Sequence, residues 1–197
     1  RSWRFDPQKG IGRLAKLINK KQAVEARHVL EQPSEQLFNL LVRGEQDAVL
    51  TDLAIDGNRN APGYRHYLEQ LRDQRPAPYT AWDSELWAVW AEKVLSAFDQ
   101  FRLLCALRRG PWGVEGLNQR VATQLHRRGL LDSDHGWYEG RPVLVTRNDY
   151  SLNLMNGDIG IALWVPGPDG ALALRVAFPR NDGSGGVRFV MPSRLVE

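Results

Sequence analysis

Apolar residues recur at helical spacing through the first two thirds of the chain and gather into short alternating runs in the last third. From Lys9 onward, Ile11, Leu14, Leu17 and Ile18 share one face, the spacing of an amphipathic helix. A second helix is predicted over Gln22–Leu30, closed by Pro33. Ser34 is a good N-cap for a third, with Leu37, Leu40 and Leu41 apolar and Gly44 just past its end. Residues 47–55 fit a strand or a helix equally. Tyr64–Arg72 is predicted helical, ahead of the Pro76–Pro78 breaker. Thr80 and Asp83 form a capping-box pattern at the head of the clearest helix. Trp82, Leu86, Val89, Trp90, Val94, Ala97 and Phe98 follow it as a stripe expected to be core. Phe101–Leu107 reads as a buried strand and Arg108–Gly113 as a loop. Val114, Leu117, Val121 and Leu125 mark another helix, with Arg120, Arg127 and Arg128 off its apolar face.

After Gly129 the period changes to two. Strands are predicted over Arg141–Arg147, Ile159–Val165, Ala171–Phe178 and Val187–Met191. Glycine-bearing turns separate them, at Asn156-Gly157-Asp158, Pro166–Gly170 and Asn181–Gly186. Short strands so closely spaced suggest a small barrel. The pattern is thus an α/β segment followed by a compact β module over residues 137–192.

Composition narrows the class. The chain has 197 residues, 43% hydrophobic and 25% charged, which is an ordinary globular balance. No run approaches the roughly 18 apolar residues of a membrane helix, so no membrane partner is expected. Cys105 is the lone cysteine, so no internal disulfide can form, and a cytoplasmic location is expected. The start at Arg1-Ser2-Trp3 suggests the cut end of a longer protein.

Charge is unevenly spread. Residues 1–21 carry net +6, residues 22–100 net −6 and residues 101–128 net +5. If folding joined the two basic segments they could receive a polyanion; as separate solvated faces they would not. His28, His66, His126 and His135 are scattered and show no metal-ligand spacing with Cys105, so no metal site is expected. No G-x-x-x-x-G-K-[ST] phosphate loop occurs, and no nucleophile motif is recognisable. Trp112 in the Gly110–Gly113 loop could stack on a base or merely pack the loop. The helix start behind it could offer backbone N–H groups to an anion.

Several longer stretches resemble one known family. They are Ser2-Trp3-Arg4-Phe5, Gly10–Ala15 with Ile18-Asn19, Leu103–Asn118, Gly140–Val143, Arg147–Tyr150, Asn156–Gly160 and Pro192–Leu195. Together, in this order, they are similar to the RecD family, the alpha chains of bacterial exodeoxyribonuclease V. These are superfamily 1 DNA helicases moving 5′ to 3′ in double-strand break repair and recombination. The acidic middle matches only loosely.

The resemblance implies a partial RecA-like fold over residues 1–136, the second motor domain of a P-loop NTPase. It implies an SH3-like β-barrel insert over 137–192 and a return to the motor domain over 193–197. Arg4 would touch the ATP γ-phosphate, completed by a domain outside this chain. Trp112, Asn118, Arg120, Arg147, Asn148 and Tyr150 would contact single-stranded DNA. ATP and Mg²⁺ would serve the full-length protein, with no cofactor bound to this piece alone. Sister helicase and nuclease subunits would be partners. The piece would be inactive by itself and prone to self-association through an exposed sheet edge. The competing expectation is a free-standing module that binds nucleic acid or protein and has no motor role.

Overall fold

The computed structural model describes residues 5–32, 34, 36–180, 183 and 185–195. The chain divides after Leu50 into two compact units. The first contains α1 (Gly10–Asn19) and α2 (Ala23–Glu31), close to the predicted spans. Lys21, at φ 58°, turns the chain between them. Gly12 is required by packing: a Cβ there would lie 2.1 Å from the Asp6 carbonyl oxygen.

The helix expected from Ser34 does not form. Ser34 instead closes a short bridge with Leu37, whose N–H donates to Ser34 Oγ at 3.1 Å. Residues 38–43 run without regular structure, and Phe38 and Leu41 are exposed. A cap alone does not make a helix when no core receives its apolar side. Asp47 accepts the N–H groups of Arg43 and Val49 and starts α3 (Val49–Asp56), which settles the ambiguous 47–55 stretch as helix.

The second unit holds α4 (Tyr64–Asp73), α5 (Glu85–Phe98), α6 (Val114–Arg127) and four strands. The strands are β1 (Pro142–Leu144), β2 (Ile159–Pro166), β3 (Leu172–Pro179) and β4 (Val187–Val190). They form an antiparallel sheet in chain order, with Ile161 opposite Ala177 and Val176 opposite Val190. β1 is shorter than its predicted span: Val145 still bonds across to Asp158 and Gly157, and the chain then enters a compact loop. Mixed α/β architecture is therefore present. A parallel sheet is not formed among the described residues.

Both faces of β2 are buried from Gly160 to Leu163, while Trp164 is exposed. Ile161, Leu163 and Val165 join Tyr67, Leu68, Leu71, Trp90, Val94 and Leu125 of the helices. On the opposite face Ala162 packs with Val143, Leu154, Val176, Phe178 and Val190. Gly160 keeps the second core close: a Cβ there would lie 2.7 Å from the Phe178 ring.

α5 differs from its expected form in start and face. Ser84 is its N-cap, accepting the Leu86 N–H at 3.3 Å, so the Thr80–Asp83 box does not form. Trp87, Trp90, Ala91, Val94, Ala97 and Phe98 are buried, whereas Trp82, Leu86 and Val89 of the predicted stripe are exposed. Intervals of three and four also link Trp87, Trp90, Ala91 and Val94, so two faces fit one sequence pattern. The indoles select the inner face, because each finds an acceptor there. Trp90 Nε1 donates to the Leu71 carbonyl and Trp87 Nε1 to that of Ala81.

Candidate nucleic-acid interface

Phe101–Leu107 is extended but is not a strand. Phe101, Leu103 and Cys105 are half-buried while Arg102, Leu104 and Ala106 face solvent, a period of two with no ladder partner among the described residues. Leu103 N–H instead meets the Tyr64 hydroxyl at 3.4 Å. The expected buried strand is thus corrected to an unpaired extended segment, since a strand requires a neighbour for its backbone groups.

That segment ends by capping α6. Val114 and Glu115 donate their N–H groups to the carbonyls of Leu107 and Arg108, at 3.0 and 3.1 Å. Gly113 donates to Gly110, whose φ of 86° makes the turn possible. The anion-binding helix start expected from the sequence is therefore largely spent on the chain's own carbonyls. The loop lies tight against its helix, since a Cβ on Gly116 would come 2.4 Å from the Gly110 carbonyl oxygen.

This packing fixes Trp112. The Arg120 guanidinium lies 5.3 Å from the centroid of the half-buried indole, a cation–π contact. Arg120 Nη1 is buried and makes no hydrogen bond among the described residues. Asn118 is exposed and does not join this pair. It lines a groove of about 560 Å³ with Tyr64, Leu103, Cys105, Tyr138 and Arg141. Burial raises the Tyr64 and Tyr138 hydroxyl pKa values, so both stay neutral hydrogen-bonding groups.

The β module carries a second, highly organised loop. Asp149 and Leu154 exchange both backbone hydrogen bonds, at 2.8 and 2.9 Å. Ser151 Oγ and Leu152 N–H donate to the Asp149 carboxylate, which holds its pKa below the ordinary value, with Arg194 helping. Asn148 accepts the Asn156 N–H through Oδ1 and donates through Nδ2 to the Tyr150 hydroxyl at 3.3 Å. Arg188 reaches across from β4 to the carbonyls of Leu152 and Asn153. Tyr150, 77% exposed, thus stands on a rigid base, and Arg147 is exposed two residues before Asp149.

Four of the expected contact residues therefore form two pairs, Trp112 with Arg120 and Asn148 with Tyr150. Asn118 and Arg147 stand apart from both. Arg4 lies outside the described residues. Sequence reading missed Arg188, whose partners lie about 35 residues away, and the stack of Arg141 at 5.0 Å over the Trp137 ring. The stack had a legible cue: Trp137, like Trp112, stands beside a glycine. Among the described residues no three His, Cys, Asp or Glu side chains are arranged to hold a metal ion. No helix among them is long and apolar enough to cross a membrane.

No family model matches the chain. Individual relatives do. The RecBCD enzyme subunit RecD of Haemophilus influenzae is 35% identical over 167 residues, covering 82% of this chain and 25% of the relative. That of Mycolicibacterium smegmatis is 38% identical over 139 residues, 70% of this chain and 24% of the relative. This chain is a homologue of RecD. A RecD of Mycobacterium tuberculosis agrees, at 44% identity over 84 residues, covering 43% of the chain and 14% of the relative. The chain spans about a quarter of the length of the Haemophilus influenzae and Mycolicibacterium smegmatis RecD subunits.

Proposed function

We propose that this chain forms part of an ATP-dependent, 5′-to-3′ DNA helicase subunit of a RecBCD-type enzyme, acting in the cytoplasm on double-strand breaks. The observation carrying this reading is similarity to RecD across 82% of the chain. Residues 1–136 then belong to a second RecA-like motor domain, residues 137–192 to an SH3-like insert and residues 193–197 to the return. The partners are single-stranded DNA and the sister helicase and nuclease subunits. ATP and Mg²⁺ are the cofactors of the whole protein. The residues here do not by themselves fit a nucleotide: the sequence lacks a phosphate loop, and Arg4 is its one candidate γ-phosphate contact. This chain alone is inactive on that reading.

The geometry supports a share in DNA tracking. Trp112 backed by Arg120, and Tyr150 held by Asn148, are aromatic faces on pre-ordered loops with cationic neighbours. Such platforms bind bases without reading sequence, at about 1–3 kcal/mol per stacked base. Arg147 and Arg120 supply salt-sensitive attraction to phosphate, and Asn118 a polar contact.

The test is titration of a fluorescent oligo-dT strand at two salt concentrations, with sedimentation alongside. Expected are binding that falls steeply with salt, and self-association through the unpaired Phe101–Leu107 segment. Trp112→Ala should lose about 1–3 kcal/mol of binding. In the full-length protein, Arg4→Ala should remove most DNA-stimulated ATPase. Undiminished hydrolysis would refute the role given to Arg4, and unchanged binding by Trp112→Ala would refute that given to Trp112.

A further inference from the structure

Tyr150 is exposed, yet it is held at both its hydroxyl and its backbone. The hydroxyl accepts from Asn148 Nδ2 at 3.3 Å. Its carbonyl accepts the N–H of Asn153 at 3.3 Å, which closes a single turn over residues 150–153. Asn153 sits at φ 51°, in the left-handed region that residues other than glycine seldom adopt. Such a conformation persists only where its surroundings hold it.

Arg188 supplies that hold from outside the turn. It stands on β4 opposite Phe178, which is fully buried in the second core. Its Nη1 donates to the Leu152 carbonyl and, at 3.0 Å, to that of Asn153. A charged donor makes a stronger hydrogen bond than a neutral one. Among the described residues the guanidinium has no carboxylate partner, so its charge is directed at these two carbonyls. Both belong to the turn that carries Tyr150. The side chain is half-buried, with the nitrogen that would face a phosphate already engaged.

We propose that Arg188 is a positioning residue: it holds the Tyr150 ring where a base can stack on it, without touching the DNA itself. This rests on the DNA-tracking role proposed above for Tyr150. A ring ordered in advance spares the cost of ordering it on binding, so loosening the turn weakens affinity although no contact to DNA is deleted.

The test is titration of the full-length protein with a fluorescent oligo-dT strand over a series of salt concentrations, with thermal melting of each variant alongside. Tyr150→Ala should weaken binding about tenfold, the loss of one stacked base. Arg188→Met removes both hydrogen bonds and keeps an unbranched side chain; it should weaken binding about threefold or more. In a Tyr150→Ala background, Arg188→Met should weaken binding no further, because no ring is left to position. The dependence of affinity on salt should be the same in Arg188→Met as in the wild type. Arg188→Lys, which still offers a charged donor to the turn, should recover part of the loss. Should Arg188→Met not fold, Arg188→Lys carries the same comparison with a smaller loss. Wild-type affinity with a lowered melting temperature would mean a purely structural role and overturns the proposal. An equal loss with and without the Tyr150 ring overturns it too. So does a salt slope shallower by about 0.7, the mark of a direct phosphate contact. If Tyr150→Ala binds as the wild type does, the stacking role of Tyr150 falls and that of Arg188 with it. If the wild-type protein binds no oligo-dT at all, the DNA-tracking reading itself falls.

Discussion

At the scale of single residues, the tightest constraint is at Gly116. It lies inside α6, where glycine ordinarily costs about 1 kcal/mol relative to alanine. Here the usual preference is reversed, because a methyl group would meet the Gly110 carbonyl oxygen at 2.4 Å. Backbone must move to admit it, and overpacking of that kind costs about 1–3 kcal/mol. Gly116→Ala should therefore destabilise the fold by that amount in a denaturant melt, despite alanine's helix propensity. It should also loosen the Trp112 loop. Unchanged or raised stability would show that the loop does not bear on the helix. Gly113 is readable from the sequence as a loop glycine, whereas no local signal singles out Gly116. Its role depends on a carbonyl six residues earlier, which only the fold brings back.

At the scale of elements, periodicity located α1, α2, α4, α6 and three of the four strands within two residues at each end. It failed where two readings were equally periodic or where a partner was required. α5 could bury either face, and indole hydrogen bonds to Leu71 and Ala81 decided which. Phe101–Leu107 has the composition and alternation of a strand but no neighbour among the described residues. The loop after β1 was legible only as turn chemistry, because its order comes from side chains bonding to backbone. It makes a pH prediction. Hydrogen bonds from Ser151 and Leu152 lower the Asp149 pKa from 3.8. A depressed carboxylate pKa adds stability that is present above the unfolded value and lost as pH falls through the folded one. The protection factors of the Asp149 and Leu154 amides, exchange corrected for the intrinsic rate at each pH, should therefore fall below about pH 4 and stay flat above about pH 5. Asp149→Asn should remove that dependence. A wild-type loop equally protected at both acidities would refute the role given to the carboxylate.

At the scale of the whole molecule, the mixed α/β class and the two regimes of periodicity were readable in advance. That one core would run from helices to sheet was not, because the β-like runs show only that strands alternate, not what each face meets. Both sides of β2 being apolar was the available hint: Ile161, Ala162, Leu163 and Val165 form a nearly continuous hydrophobic run, the mark of a strand covered twice. Amide protons of Ile161–Val165 should accordingly be among the slowest to exchange, released only when the helices and sheet open together. Early exchange of β2 while α5 stays protected would mean that the two parts open separately.

The doubly covered strand also sets a limit on dissection. A piece cut out around residues 137–192 would carry Ile161, Leu163, Val165 and Val187 naked on one side. The helices left behind would lose the lid over Trp90 and Val94. Neither half could inherit the stability of the whole, so the β module is seated in its host as a keystone is, held by what it holds up.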